Sequence, residues 1–389
     1  MRRSHIGIWC FGLILLLPPL LNCVDLGYLL PALIGQLDLI SRSVPIKDAI
    51  EDGTLSEEQV SKLTLIEDVR GFARNHIGLQ VRDNYTLFFD AGDKPVAYNI
   101  SASRKDALEP HEWWFPVVGF VPYLGFFNLE AAEARTEMLE AQGYDVYRYE
   151  IDAYSLASFF PNPVLSPMLE RRDIDLVATV IHELLHSTVW SGDVSFNESL
   201  ASWVGRTGAL QYYADRHPQD PQQQQRVIDF FEDEDRLTEF MFGLLDELEE
   251  FYASALSSEE KIIGREAIYQ ASRDRFAQQV LPEMHFPELF DWVQDMPTNN
   301  AYVLGFQRYN LDLDLFEAVF MATAGNWSET LEVFRNAAAA GRDPHSVLET
   351  WLSAYESVAR EHHQQVTPPP FSRGPCQRRL TTTLLPNED

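Results

Sequence analysis

The sequence predicts an α+β fold that is mostly helical, with a small antiparallel sheet followed by a large helical C-terminal part. Three observations lead to this fold class. The chain has 389 residues, of which 46% are hydrophobic and 12% aromatic, so it can bury a large core. Short segments rich in β-branched and aromatic residues, separated by turn residues, occur within about 85–151. From about residue 163 onward, apolar residues recur at helical spacing.

The charge of the chain excludes two classes of partner. Lys and Arg number 30 against 59 Asp and Glu, which gives a formal net charge of −29. Such an excess of acid argues against binding to nucleic acid and against docking onto anionic lipid by charge. The three cysteines, Cys10, Cys23 and Cys376, are too few for a disulfide framework.

Residues 1–22 have the pattern of a lipoprotein signal peptide. Arg2 and Arg3 precede an apolar stretch at 6–21, which is short for a membrane span. Leu20-Leu21-Asn22-Cys23 then resembles a bacterial lipobox, which predicts cleavage before Cys23 and lipid modification of that residue. Asn22 departs from the pattern, because such boxes prefer Gly, Ala or Ser at that position. A cleaved signal with an incidental cysteine, or an uncleaved anchor, therefore stays open.

Up to residue 151 the chain alternates between helix and strand. Leu26 to Arg42 is apolar at helical spacing. The capping box Ser56 to Gln59 begins a second helix that ends near Gly78. Strands are predicted at 85–90, 95–101, 113–120 and 144–151. A helix at 128–142, ended by Gly143, precedes the last of these strands.

Beyond residue 163 the sequence predicts only helices. Two of them, 173–190 and 196–216, are joined by the short turn 191–193. Long amphipathic helices follow at 220–257 and 258–280. Shorter helices are predicted near 286–296, 310–324, 328–340 and 344–363. The acidic run from Glu232 to Asp235 is interpreted as a solvated helix face, because it lacks the spacing of a calcium loop.

These elements predict one domain at 23–365, because no linker divides the body of the chain. Its parts are a small sheet within about 85–151, the helix pair at 173–216 and a helical part at 218–364. Residues 366–389 contain several prolines and few core residues, and are predicted to form a disordered tail.

One helix carries the motif H-E-x-x-H, formed by His182, Glu183 and His186. Residues four apart lie on the same helical face, so both imidazoles can bind one Zn²⁺. Glu183 is then placed to accept a proton from the zinc-activated water without being a ligand itself. The alternative interpretation is a core helix with two satisfied histidines.

Glu198 is predicted to be the third ligand. Catalytic zinc sites use three protein ligands and keep the fourth position open. Glu198 lies in the first turn of the next helix, and two helices joined by a short turn run antiparallel, so its carboxylate can return to the same ion. The sequence thus predicts one Zn²⁺ held by His182, His186 and Glu198. The alternative for Glu198 is an acid that is stabilised by the N-terminus of its helix.

Several short motifs occur in an order that resembles a known family. They are Leu26-Gly27-Tyr28 with Gly35-Gln36-Leu37, Val121 to Phe127, Gln142 to Val146, Ile181 to His186, Phe196-Asn197-Glu198, and Asn299-Asn300-Ala301 with Tyr309-Asn310. Together they resemble the zinc aminopeptidase family of bacterial lipoproteins, a gluzincin-like group of the H-E-x-x-H peptidases. The resemblance implies a zincin-like fold, the three ligands named above, Glu183 as general base, and a peptide or protein as substrate. With a lipid on Cys23, it also implies a membrane-anchored protein of the bacterial cell envelope that faces the periplasm.

Peptide hydrolysis also needs groups that the sequence does not single out. Candidate donors to the tetrahedral oxyanion are Tyr123, Tyr154, Tyr309 and His217. An aminopeptidase must also bind a free α-amine, and the many acids of the chain include Asp173, Asp175 and Asp193 as candidates. Two other functions stay open: a zinc endopeptidase of the cell envelope, and a non-catalytic zinc-bearing lipoprotein scaffold, which would have no use for Glu183.

Overall fold

The computed structural model describes residues 26–92, 95–115, 119–151 and 161–361. The predicted signal peptide at 1–22, the predicted lipidation site Cys23 and the predicted tail at 366–389 lie outside these ranges, so they stay predictions. Within the ranges the protein is mostly helical with small, largely antiparallel sheets, which confirms the α+β fold class. Among the described helices, none combines the length and the apolar character needed to cross a membrane.

Three helices begin the described chain. They are α1 (Leu26–Arg42), α2 (Ile46–Glu51) and α3 (Glu57–Phe72). The predicted capping box is present at α3: the N–H of Gln59 donates to the Ser56 hydroxyl, and the N–H of Ser56 donates to the Gln59 side chain. One turn of π-helix, Ala73–Ile77, continues α3 up to Gly78, where the sequence predicts that the helix ends.

The strands form three small sheets, where the sequence predicts one. Their bounds are β1 (Val44–Pro45), β2 (Leu87–Phe89), β3 (Ala97–Arg104), β4 (Trp113–Phe115), β5 (Gly119–Val121), β6 (Leu124–Phe126), β7 (Tyr144–Ile151) and β8 (Val164–Leu165). The largest sheet has the order β6-β3-β7 and is antiparallel throughout. β1, β2 and β8 form another, in which β2 and β8 are parallel.

The segment 113–120, predicted as one strand, contains parts of two strands. β4 and β5 pair antiparallel with each other, with Trp113 opposite Val121. Gly119 has a φ of +82°, which a continuous extended strand does not contain. The chain therefore reverses direction within this segment.

α4 (Leu129–Ala141) lies between β6 and β7 in the sequence and is followed by Gly143 at a φ of +90°. Eight helices follow β8 in the described chain. They are α5 (Asp173–Leu185), α6 (Val194–Arg216), α7 (Pro221–Tyr252), α8 (Ser258–Arg275), α9 (Asn300–Asn310), α10 (Leu313–Ala322), α11 (Trp327–Ala338) and α12 (Pro344–Glu361).

Three parts of this region differ from the sequence prediction. α5 ends at Leu185, five residues before the predicted end at residue 190. The predicted helix at 286–296 is a series of 3₁₀ turns, because its backbone bonds run three residues back, as from the Phe290 N–H to the Pro287 carbonyl. α9 occupies a segment for which the sequence predicts no helix.

A buried ion pair fixes the largest sheet to the helical part. Asp145 of β7 accepts two hydrogen bonds from the guanidinium of Arg265 in α8, and both side chains are almost wholly buried. The same carboxylate accepts the N–H of Asn300, at the start of α9, at 2.8 Å. The main hydrophobic core runs from Leu39 in α1 to Leu348 in α12, with a smaller cluster between β3 and α4. Asp145 thus sets where α9 lies relative to the sheet.

Candidate metal centre

α5 presents the H-E-x-x-H motif from a helix that is anchored in the core. The residues that anchor it, each with almost no exposed surface, are Leu176, Val177, Val180, Ile181 and Leu184. His186 is the C-cap residue of α5 and keeps helical backbone angles, with φ −56° and ψ −22°. The rings of His182 and His186 therefore lie one turn apart, with centroids 5.1 Å from each other.

The first turn of α6 is held to the preceding loop, and this sets the position of Glu198. The Asp193 carboxylate caps the helix by accepting the N–H of Phe196 at 3.0 Å. The Asn197 side chain exchanges two hydrogen bonds of 2.8 Å with the backbone of Ser191. Glu198, the next residue, is thereby directed back toward α5.

α5 and α6 approach each other closely at Gly205. A Cβ on Gly205 would lie 2.6 Å from the carbonyl oxygen of Ala178 and 3.2 Å from the Cβ of His182. Such a contact is too short for any side chain, so glycine is required for the two helices to cross here. This crossing lies beside His182 and keeps it near Glu198.

His182, His186 and Glu198 converge on one point. The Oε2 atom of Glu198 lies 3.2 Å from Nε2 of His182 and 3.6 Å from Nε2 of His186. The ligand atoms of the three residues all lie within 4.8 Å of one another. Two ligands bound at 2.0–2.1 Å to a tetrahedral zinc ion are about 3.3 Å apart, so this donor set fits one Zn²⁺. The structure brings the three predicted ligands together, and their metal-binding role stays a prediction.

The charges of Glu198 and His186 stabilise each other. Burial raises the pKa of the Glu198 carboxyl, but the charge of His186 and hydrogen bonds from both imidazoles outweigh burial and hold this pKa well below its usual range. Burial lowers the pKa of His186, but the charge and hydrogen bond of Glu198 outweigh it and raise this pKa. Glu198 is thus held ionised, the form that a metal ligand needs.

Glu183 lies at the edge of a cavity of about 410 Å³ that His182 also lines. Burial raises the pKa of its carboxyl, and the charges of His182 and His186 oppose this rise only in part. A carboxylate with a raised pKa is a better proton acceptor near neutral pH. Glu183 therefore lies where a general base would act, and that role stays a prediction.

Of the four candidate oxyanion donors, two lie beside the candidate metal centre. The Tyr309 ring stacks on His182 with centroids 6.0 Å apart and lines the cavity. Burial, and then the charge of Glu198, raise the pKa of the Tyr123 hydroxyl, which indicates that Tyr123 is also close to Glu198. His217 is exposed at the far end of α6, about 28 Å along the helix from Glu198, which is too far for a donor. Tyr154 lies outside the described residues.

The three acids considered for amine binding already have partners. Asp193 caps α6. Asp173 is mostly exposed and pairs with Lys62 at 2.7 Å. Asp175 lines the cavity, but it accepts two hydrogen bonds, of 2.7 and 2.9 Å, from Arg172.

Sequence reasoning missed three residues of this region. Tyr149 of β7 and Glu234 of α7 line the cavity, and the guanidinium of Arg308 lies over the Tyr123 ring at 5.4 Å. The alternating residue pattern along β7 could have indicated that Tyr149 faces the cavity. Glu234 belongs to the acidic run that the sequence predicts to be solvated. That prediction is wrong for two of its members, since Asp233 and Asp235 are buried.

Comparison with known proteins identifies a family that the chain matches. A model of the family described as "Putative aminopeptidase" matches residues 27–345. The matched range begins in α1, ends in the first turn of α12, and includes both site helices and α9. No curated protein and no solved structure matches the chain.

Proposed function

The chain belongs to the putative aminopeptidase family, and we propose that it is a zinc-dependent aminopeptidase, which hydrolyses the peptide bond after a free N-terminal residue. The observation that carries the proposal is the convergence of His182, His186 and Glu198 beside the buried Glu183. Structural zinc sites are closed by four protein ligands, whereas three ligands next to a cavity are typical of catalytic sites. The family match supports peptidase activity, and the donor set supports zinc.

Each residue of the site then has a task. Held by His182, His186 and Glu198, a zinc ion would supply Lewis-acid chemistry, which polarises a carbonyl group and makes water reactive near neutral pH. The Glu183 carboxylate accepts the proton of the attacking water and passes it to the leaving amine. The Tyr309 hydroxyl would donate a hydrogen bond to the developing oxyanion. The resemblance to this family also implies a zincin-like fold, and we propose that fold for this chain.

The substitution Glu183→Gln tests this mechanism. Glutamine keeps the size of the side chain but cannot accept the proton, so turnover of a peptide substrate should fall by about 10²- to 10⁴-fold. Zinc should stay bound at one ion per chain, because Glu183 is not a ligand. The measurements are kcat on a free-amine peptide and the zinc content of the purified protein.

Glu317→Gln is the matched control for this experiment. Glu317 is another carboxyl whose pKa is raised by burial, but it accepts a hydrogen bond from Trp203 and does not line the cavity. We expect its substitution to leave kcat unchanged. Full turnover in Glu183→Gln would refute the role given to Glu183, and zinc-loaded wild type that cleaves no peptide would favour the scaffold function instead.

A further inference from the structure

Glu234 is a carboxylate of the cavity that the mechanism leaves unused. It lies in the middle of α7 and lines the same cavity as His182 and Glu183. Its side chain is half-buried, so it is neither part of the closed core nor part of the open surface. A substrate bound in this cavity would share it with Glu234.

The acids next to Glu234 are fully engaged with other groups. Asp235 forms a bidentate ion pair with Arg206. Asp233 accepts the backbone N–H groups of His285 and Phe286, at 2.9 and 2.8 Å. These bonds fix α7 and explain why an acidic run can be buried.

Glu234 itself makes no hydrogen bond or ion pair with any residue in the described part of the chain. Burial raises the pKa of its carboxyl to about 7, with the negative charges of Asp175 and Asp235 adding to the rise and Arg206 and Arg172 opposing it. A half-buried carboxylate without a hydrogen-bonded cation is costly, and a cationic ligand would relieve that cost. The site is thus complementary to an ammonium group.

The α-amine of a peptide is the ammonium group that a substrate of this enzyme would bring, since its pKa is about 8. We propose that the Glu234 carboxylate binds the free α-amine of the substrate and so restricts cleavage to the N-termini of peptides. This inference rests on the proposed peptidase function and adds the residue that determines its specificity. Glu150 also lines the cavity, but it is exposed to solvent, where an ion pair contributes little.

Glu234→Gln tests the inference when it is assayed on one peptide in two forms, with a free and with an acetylated N-terminus. Loss of a charge-assisted hydrogen bond should lower kcat/KM for the free-amine peptide about ten- to hundredfold, chiefly through KM. Cleavage of the acetylated peptide should stay at its low wild-type level. The preference for the free amine, taken as the ratio of the two kcat/KM values, should therefore collapse.

Two further variants separate specificity from structure. Glu239→Gln changes an exposed glutamate of the same helix and should leave the ratio unchanged. Glu234→Asp keeps the charge and should retain part of the preference. Zinc content and Tm, measured on every variant, show whether the fold is intact.

The possible failures are distinguishable. If wild type prefers the free amine and Glu234→Gln keeps that preference, the inference is wrong while the peptidase proposal stands. If wild type cleaves both peptide forms equally, the enzyme is an endopeptidase, and the role given to Glu234 is again wrong. If wild type cleaves neither form, the proposed function itself fails.

Discussion

Tyr309 is the residue whose role depends most on the structure, because the sequence offers four donors of equal standing. It stacks on a predicted metal ligand, His182, and lines the cavity, whereas Tyr123 does not line it. Burial, and then the charge of Glu198, raise the pKa of the Tyr309 hydroxyl well above its usual range. The hydroxyl therefore stays protonated at neutral pH and can donate a hydrogen bond.

Tyr309→Phe should lower kcat by about 10²-fold, since removing one oxyanion donor typically costs that much, while KM and zinc content change little. Tyr302→Phe is the matched control, because Tyr302 lies on the same helix but packs against Tyr147, at 4.8 Å, and does not line the cavity. Steady-state kinetics of both variants provide the measurement. Normal turnover in Tyr309→Phe would show that another group donates the hydrogen bond to the oxyanion.

Local spacing explains why some site residues could be predicted and others could not. His182, Glu183 and His186 lie within one helical turn, and Glu198 follows through a short loop, so chain geometry alone brings them together. Tyr309 reaches the site because Asp145 holds Asn300, which is 155 residues away in the sequence. No pattern within either segment encodes such a distant contact.

At the scale of elements, the crossing of α5 and α6 determines the geometry of the candidate metal centre. Asn197 and Ser191 fix the start of α6, and Gly205 permits contact with α5 two turns later. Gly208 continues the contact, since its added Cβ would lie 3.0 Å from a methyl carbon of Ile181 in α5. A shift of either helix would change the distance between His182 and Glu198.

Gly205→Ala should push the two helices apart, because the new Cβ would collide with the backbone oxygen of Ala178. We expect a loss of about 1–3 kcal/mol in the free energy of unfolding, together with weaker zinc binding. Denaturant titration of the zinc-free protein and a competition assay with a chelator measure the two effects.

Gly243→Ala provides the control for that substitution. Gly243 lies inside α7 with no atom within 4 Å of its added Cβ. Alanine is favoured over glycine in a helix, so this variant should be more stable by about 0.5–1 kcal/mol and should bind zinc normally. Equal behaviour of the two variants would show that the helix crossing does not constrain the site.

Elements were predictable where their own residues decide them. The capping box at Ser56, Gly143 after the helix predicted at 128–142 and the apolar period of α5 are local signals, and the structure contains the corresponding helices. The acidic run of α7 is different, because its burial depends on Arg206, which belongs to α6. The segment 286–296 contains 3₁₀ turns, and the N–H groups of His285 and Phe286, where it begins, bond to Asp233 of α7.

At the scale of the whole molecule, the net charge of −29 acts on a charged ligand together with the charged groups that line the cavity. Acids that line the cavity are Glu150, Asp175, Glu183 and Glu234, against the two cations Arg171 and Arg206. The body of the protein and its cavity therefore have the same sign of charge. A field of this kind concentrates cationic ligands near the site and repels anionic ones.

The salt dependence of KM tests whether this field acts on the substrate. Two free-amine peptides should be compared, one with lysine residues beyond the cleaved bond and one with neutral residues there. Between 0.1 and 1 M salt the Debye length falls from about 10 to about 3 Å, so KM for the cationic peptide should rise several-fold more than KM for the neutral one. Glu234→Gln should keep this difference, because it removes one local contact and leaves most of the charge in place. The same rise in KM for both peptides would show that only local contacts, and not the charge of the whole molecule, select the substrate.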